Sequence, residues 1–227
     1  RDPLLQIGQM RDMEFGHGII SGTLMKAIPF LFSLAVLVMS VVIHEVAHGT
    51  VAYFLGDSTA KLEGRLTLNP IKHIDPVGSI LVPIVTSFAG FTFGWAKPVP
   101  YNPYNLQAGK WGPGIVAAAG PLSNLLLAFI FGMFIRFDVV TGMGATLVGL
   151  IVFVNIILAI FNLIPIPPLD GSKVLFSALP YQYRHVENFL NQNYLVLIVI
   201  LLFLGGNLIA FLSTKLFLLI TVGTLFL

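Results

Sequence analysis

Residues 31–56 have the sequence LFSLAVLVMSVVIHEVAHGTVAYFLG, an apolar run interrupted by one short polar cluster. A helix needs about 20 apolar residues to cross a bilayer, and this run is long enough. Between residues 27 and 56 the only acidic, basic or histidine side chains are those of His44, Glu45 and His48. Ionisable groups at membrane depth are costly and usually mark a functional site. The stretch therefore predicts a transmembrane helix that carries such a site.

The spacing of these three residues indicates zinc chemistry. Residues four apart lie on the same face of a helix, about 5–6 Å from each other, so His44 and His48 can bind one Zn²⁺ at about 2.0–2.1 Å. Glu45 is then placed to take a proton from a water whose pKa the metal lowers to about 7. This is the H-E-x-x-H pattern of zinc hydrolases. The alternative, two structural histidines beside an unrelated glutamate, fits the apolar surroundings less well.

The composition indicates a membrane protein. The chain has 227 residues, of which 56% are hydrophobic and 10% are charged, whereas soluble domains carry about 25% charged residues. We therefore expect a polytopic α-helical protein of the cell membrane. The net charge of +2 gives no indication of a nucleic-acid partner. Since there is no cysteine, metal ligands must be histidine, aspartate or glutamate.

Apolar segments organise the chain. Those at 27–55, 111–135 and 139–169 are predicted to be transmembrane helices, and a further span is predicted at 194–212, followed by a shorter helix. Segment 77–96 contains three glycines and a proline, which make a straight helix unfavourable. We expect that segment to be re-entrant, a path that is tolerated where protein shields the backbone.

A short polar stretch after the first segment predicts a β-strand. In residues 61–68 apolar and polar side chains alternate, which is the period of a strand. We expect this strand to lie at the membrane and to pair with an extended substrate by β-augmentation. Its expected substrate-binding residues are Leu62, Gly64, Leu66 and Leu68. The predicted fold is thus a three-helix catalytic core with a small membrane-associated β-region and a re-entrant segment.

Two residues compete for the position of third metal ligand. Catalytic zinc usually has three protein ligands and keeps one position for water. Glu63 follows His48 by fifteen residues, but a glycine and an aspartate end the helix before it. Asp170 closes the proline-broken run NLIPIPPLDG at 162–171, and broken helices at membrane depth often form ion sites. Asp170 is the stronger candidate, with a simple Asp-Gly turn as its alternative.

Three motifs together make the chain resemble the site-2 proteases, a family of zinc intramembrane proteases. They are HEVAH at 44–48, AGPLSN at 119–124 and NLIPIPPLDG at 162–171. The resemblance implies zinc ligands at His44, His48 and Asp170. It also implies that Glu45 is the catalytic base and that Asn162 contacts the substrate. Small residues let membrane helices approach closely, so the middle motif is expected to pack between the two metal-bearing helices.

The metal site constrains the topology. One ion needs its ligands at one depth, so the two helices that carry them must run parallel, with an odd number of spans between them. Segment 77–96 should therefore not cross the bilayer. Most basic residues then lie on one side, which the positive-inside rule makes cytoplasmic. Along the chain we expect an N-terminal arm or expression remnant at 1–24, the protease core at 25–175, and a C-terminal loop and helix region at 176–227.

The predicted function is zinc-dependent hydrolysis of a peptide bond in or near the transmembrane segment of a membrane-protein substrate. We expect Zn²⁺ as cofactor, a single-span membrane protein as substrate, a bacterial or archaeal inner membrane as location, and peptide-like hydroxamates as inhibitors. The alternative is a membrane zinc-binding or transport protein without hydrolysis, since transporters also carry ionisable residues at membrane depth. Glu45 discriminates between them, because a transporter would need it only as another ligand.

Overall fold

The structure, a computed structural model, describes residues 30–82, 85, 88 and 96–223. The chain divides into two compact units, residues 1–37 and 38–227. In the first unit the described residues, 30–37, are helical. Every residue of the site discussed below belongs to the second unit. The predicted arm at 1–24 lies outside the described residues.

Helices make up the regular structure of the described residues, which contain no β-strand. The α-helices are α1 Phe30–Phe54, α2 Thr59–Leu62, α3 Gly112–Arg136, α4 Gly142–Asn162, α5 Asp170–Ala178, α6 Arg184–Gln192, α7 Tyr194–Leu204 and α8 Gly206–Thr221. Single turns of 3₁₀- or π-helix lie in the connections, at Pro70–His73, Pro76–Leu81, Pro103–Asn105, Gly109–Trp111 and Tyr181–Tyr183.

Three of the described helices are long and apolar enough to cross a membrane, which confirms the helical, multi-pass class. They are Phe30–Phe54, Gly109–Arg136 and Gly142–Asn162. The predicted span at 194–212 is instead divided, because α7 ends at Leu204 and α8 begins at Gly206. Two adjacent glycines have low helix propensity and explain the break. A fourth span is possible by length only if α6 and α7, which meet at 70°, form one bent crossing.

Helix α3 is the centre of the second unit. Ala128 of α3 packs against Val152 and Ile156 of α4, and α8 covers this cluster with Phe217 and Ile220. At the other end of α3, Val116 packs against Ala52 of α1. Lipid is as apolar as these side chains, so close packing rather than removal from water holds the helices together. Because α3 lies between α1 and α4, the packing predicted for its small-residue motif is confirmed.

The β-strand predicted at 61–68 is wrong. Its first two residues belong to α2, and Gly64 has φ +63°, a left-handed conformation that ends any extended path. The alternation of residue types is real, but burial does not follow it, because Lys61, Leu62 and Glu63 are all exposed. Arg65 is buried, at 5% exposure, whereas Leu62 and Leu68 are exposed. Arg65 is drawn inward because its guanidinium donates to the backbone carbonyls of residues 97 and 98.

Segment 77–96 is described only in part. A π-helical turn covers Pro76–Leu81, and residues 82 and 85 are helical. The predicted re-entrant path therefore lies largely outside the described residues. From residue 96 to residue 102 the chain has no regular structure, and this extended piece leads into the site described next.

Candidate active site

Three buried side chains from distant parts of the chain converge. His44 and His48 project from α1, and Asp170 is the first residue of α5; each is less than 9% exposed. The Nε2 atom of His44 lies 3.0 Å from Asp170 Oδ2, and the Nε2 atom of His48 lies 3.2 Å from the same oxygen. One ligand atom from each residue lies within 4.8 Å of the others. The structure thus brings Asp170, and not the exposed Glu63, to the histidine pair.

A glycine allows Asp170 to reach this position. Helix α4 ends at Asn162, and after the proline-rich turn α5 starts close to the residues that follow α4. A Cβ atom on Gly171 would collide with the carbonyl of Leu163 and lie 2.6 Å from the carbonyl oxygen of Ile164. Only a residue without a side chain permits this approach. The Asp-Gly pair is therefore part of the site's construction.

Hydrogen bonds fix both histidine rings from behind. The Nδ1 atom of His44 lies 2.6 Å from Asn124 Oδ1, and the Nδ1 atom of His48 lies 2.7 Å from the carbonyl oxygen of Val116. Both partners are acceptors, so each Nδ1 carries the proton and Nε2 is the nitrogen left to face a metal ion. Such partners set the tautomer of metal-binding histidines and orient their rings.

The orientation of the Asn124 amide is itself determined by its neighbours. Its Nδ2 donates to Asn155 Oδ1 at 2.8 Å and to the carbonyl oxygen of Ser40 at 3.3 Å. Asn155 in turn donates to the hydroxyl of Ser40 at 3.0 Å. Both asparagines are fully buried. This network connects α1, α3 and α4 and presents the Asn124 oxygen, not its nitrogen, to His44.

The donor chemistry fits a divalent cation. Two Nε2 atoms and one carboxylate oxygen point at one another, and their lone pairs repel unless protons or a metal cation lie between them. Two imidazoles and one carboxylate form a typical catalytic zinc donor set that keeps a further position for water. His44, His48 and Asp170 are the residues that would hold the ion.

Asp170 has a cationic neighbour on its own helix. Its second oxygen, Oδ1, lies 3.8 Å from the ammonium nitrogen of Lys173. That lysine follows one turn later on α5, so the spacing in the sequence could have indicated it.

The other wall of the site is Gly120 of α3. A Cβ atom there would lie 2.5 Å from the Nε2 atom of His44 and would also collide with the Nε2 atom of His48. The small-residue motif therefore does more than let helices approach, because it leaves room for the two metal-binding ring edges.

A cavity of about 160 Å³ opens beside the three donors. Glu45 and Asn162, both predicted as site residues, line it, as do Lys173 and the extended residues Val99 and Tyr101. Oε2 of Glu45 accepts a hydrogen bond of 2.8 Å from the backbone N–H of Val99. Sequence reasoning missed Val99 because it acts through its backbone, which leaves no mark in a side-chain pattern.

The residues predicted to bind substrate from the 61–68 strand lie elsewhere. Neither Leu62, Gly64, Leu66 nor Leu68 lines the cavity. Leu66 packs beside α1, where a Cβ atom on Gly49 would lie 2.7 Å from its Cδ2. Without a strand there is no edge for β-augmentation at these positions, and their contact with substrate stays a prediction.

The fold and site together define a class. The protein is a multi-pass helical membrane protein with a His-His-Asp donor set and a glutamate beside the first histidine, which is the arrangement of a zinc metalloprotease.

Comparisons with known proteins agree. The model of peptidase family M50 matches residues 140–205. YwhC of Bacillus subtilis (strain 168), a candidate zinc metalloprotease, is 40% identical over 166 residues, which are 69% of this chain and 72% of that protein. Rip2 of Mycolicibacterium smegmatis, described in the same way, is 30% identical over 179 residues, 76% of this chain and 67% of that protein. The zinc metalloprotease MJ0392 of Methanocaldococcus jannaschii is 25% identical over 173 residues, 76% of this chain and 40% of its own length. No solved structure significantly matches the chain. The chain belongs to peptidase family M50.

Proposed function

We propose that this zinc metalloprotease is an intramembrane endopeptidase, which hydrolyses a peptide bond in or near the transmembrane segment of a membrane-protein substrate. The depth of the histidines in α1 carries the proposal. His44 and His48 precede the end of the candidate span at Phe54 by ten and six residues. At 1.5 Å per residue they lie about 15 and 9 Å inside that end, within a hydrocarbon core about 30 Å thick.

The residues of the site divide the chemical work. Zinc, when held by His44, His48 and Asp170, supplies Lewis acidity and a water of lowered pKa. The carboxylate of Glu45 takes the proton of the attacking water and delivers it to the leaving amide nitrogen. Asn162 lines the cavity and donates one amide hydrogen to the carbonyl oxygen of Leu158 at 2.9 Å. That bond orients its amide, whose remaining polar groups can then hold the substrate backbone.

The chemistry restricts the substrate to an extended chain. A transmembrane helix uses its carbonyl oxygens in internal hydrogen bonds, so a substrate has to unwind before a scissile carbonyl becomes accessible. The cavity is bordered by Pro98, Val99 and Tyr101, which have no regular secondary structure. A single-span protein whose membrane segment unwinds locally fits these requirements. The bacterial and archaeal sources of the relatives support location in the inner membrane of such an organism.

The test uses a pair of matched glutamate variants. Wild type, Glu45→Gln and Glu63→Gln are reconstituted in liposomes with a single-span reporter protein that is tagged at both ends. We expect wild type and Glu63→Gln to release fragments, and Glu45→Gln to release none while its zinc content equals that of wild type. Mass spectrometry of the fragments locates the cleaved bond. Cleavage by Glu45→Gln would refute the assigned base, and cuts confined to regions remote from the membrane would refute the intramembrane activity.

Inhibition offers a separate line of evidence. We propose that an extended peptide analogue ending in a hydroxamate inhibits the protease, because hydroxamate oxygens chelate the ion and the peptide part lies along the cavity. The same peptide ending in a carboxamide is the control and should be much weaker. Equal potency of the two compounds would contradict inhibition at the metal.

A further inference from the structure

A cluster of buried polar side chains lies outside the metal site and is not used by the mechanism above. Asp57, Arg65 and His73 have exposures of 0%, 5% and 2%. Charged side chains are almost never this deeply buried unless they are paired. Among the described residues, however, the ion pairs involve none of these three side chains. Arg65 and Asp57 are instead bonded to backbone and amide groups of residues 97–105, and the His73 ring lies against the carbonyl oxygen of Thr67.

One end of the extended piece is held by Arg65 and His73. The guanidinium Nη2 of Arg65 donates to the carbonyl oxygen of Lys97 at 2.9 Å and to that of Pro98 at 3.3 Å. The backbone N–H of Lys97 donates to the carbonyl oxygen of His73 at 2.9 Å. The His73 ring is itself fixed, with Nε2 lying 2.9 Å from the carbonyl oxygen of Thr67. Three backbone hydrogen bonds therefore hold residues 97 and 98.

The other end is held by Asp57, just beyond α1. Its carboxylate accepts hydrogen bonds from the backbone N–H of Asn102 at 2.7 Å and from the Asn105 side-chain amide at 2.8 Å. The hydroxyl of Thr59 donates to it at 2.7 Å. Burial raises the pKa of Asp57, but these hydrogen bonds outweigh burial and keep the pKa below its usual value. The group is thus a stable anion that anchors residue 102.

Between the two anchors the sequence is Pro98-Val99-Pro100-Tyr101. Prolines have no N–H, so among residues 98–100 only Val99 can donate, and its donor is bonded to Oε2 of Glu45 at 2.8 Å. The proline that follows also restricts Val99 to an extended conformation. Its side chain is buried against α1, where a Cβ atom on Gly49 would lie 2.6 Å from Val99 Cγ1. Backbone and side chain both fix this amide relative to the base.

We infer that Arg65, Asp57 and Val99 are positioning residues for the catalytic base: the anchored segment 97–102 holds the Val99 amide against Oε2 of Glu45. This inference rests on the proposed role of Glu45. With one oxygen bound, the carboxylate keeps a single orientation and its other oxygen is left to handle the proton. Positioning of reacting groups contributes strongly to rate, and a displacement of about 1 Å can cost about 10²-fold.

The sharpest test is Val99→Pro, which removes the backbone N–H donor of a residue that already lies between two prolines. We expect kcat to fall about 10- to 100-fold, with KM and zinc content little changed, because only the transition state uses the positioned base. Val99→Ala keeps the N–H and should retain at least ten times the kcat of Val99→Pro. A merely structural role would instead lower zinc content or melting temperature together with activity.

Substitutions of Arg65 test whether the anchor of residues 97 and 98 affects catalysis from a distance. Arg65→Met should reproduce the loss of kcat at constant zinc content, and Arg65→Lys should restore part of it. Lys72→Met, which removes an exposed cation from the same connection, is the matched control and should leave kcat unchanged. Wild-type kcat in Val99→Pro, with Glu45→Gln inactive, would overturn the positioning role alone. Full activity of Glu45→Gln would instead overturn the assignment of the base.

Discussion

Replacing Gly120 by alanine should weaken zinc binding by at least about 10- to 100-fold while leaving the fold in place. Gly120 is buried in the middle of α3, and a Cβ atom built on it lies 2.5 Å from Nε2 and 2.6 Å from Cε1 of His44, and also collides with the Nε2 atom of His48. The added methyl group would therefore occupy the space into which both metal-binding ring edges point.

The distances give the size of the effect. Non-bonded carbon atoms pack at about 3.5–4.0 Å, so the His44 ring must retreat by about 1 Å. Zinc–nitrogen bonds of about 2.0–2.1 Å tolerate deviations of only about 0.2 Å. We expect zinc affinity to fall by at least the 10- to 100-fold typical of lost ligand support. For the fold, overpacking costs about 1–3 kcal/mol, and replacing a helical glycine returns about 0.5–1 kcal/mol, so the helix bundle should survive.

The assay measures zinc content, zinc affinity by competition with a chelator, and melting temperature of the apo-protein in detergent. Gly132→Ala is the matched control, since Gly132 also lies on α3 and its added Cβ atom would meet a side chain, that of Ile220 on α8, far from the site. That variant should keep its zinc. If Gly120→Ala retains wild-type zinc affinity and activity, the two histidine rings do not converge on the space beside Gly120, and the deduced metal position is wrong.

Three further predictions concern the support of the site. Asp170→Ala should lower zinc content, whereas Glu63→Ala, which alters an exposed residue, should not; metal analysis showing the reverse would move the third ligand to Glu63. Asn124→Ala should weaken zinc binding by about 10- to 100-fold through loss of the bond to His44 Nδ1, and unchanged affinity in a chelator titration would show that the tautomer is set in another way. Burial raises the pKa of Asp57, but its hydrogen bonds have the larger effect, so the pKa in the folded protein lies below the usual value. The ionised carboxylate therefore stabilises the fold above the unfolded-state pKa of about 3.9. That stabilisation is lost as pH falls through the folded-state pKa. Wild type should therefore lose thermal stability on acidification more steeply than Asp57→Asn, and parallel acid profiles would contradict the prediction.

Much of the site could be predicted because its chemistry leaves a strong mark in sequence. In an apolar helix His44, Glu45 and His48 stand out, and their spacing by itself specifies a shared helix face. Asp170 lies 126 residues from His44, yet the scarcity of acidic residues at membrane depth left few candidates. The helices followed from the lengths of the apolar segments, although the pair Gly205-Gly206 divides the predicted span at 194–212 and the helix predicted at 139–169 ends at Asn162.

The β-region could not be predicted, because alternation does not say which face is buried. The period-two alternation at 61–68 favours a strand with the leucines on one face. In this protein Leu62 and Leu68 are exposed, and the polar Arg65 turns inward to reach two carbonyl oxygens. A hydrogen-bonding requirement thus determined the burial, and it arises from residues more than thirty positions away.

The groups that orient Glu45 are harder to find in the sequence than the groups that orient the metal ligands. The two histidines are oriented by Asn124 and by the Val116 carbonyl, both on α3, so a helix already indicated by its small residues supplies their partners. Glu45 instead accepts its hydrogen bond from a donor outside α3. The second unit provides one in the form of a backbone amide that lies between two prolines. A backbone N–H is positioned by the path of the chain and not by the rotamer of a side chain. Its position therefore depends on the residues that anchor the chain on either side. Buried Arg65 and Asp57 meet that need, which gives their costly burial a reason that lies in catalysis rather than in packing.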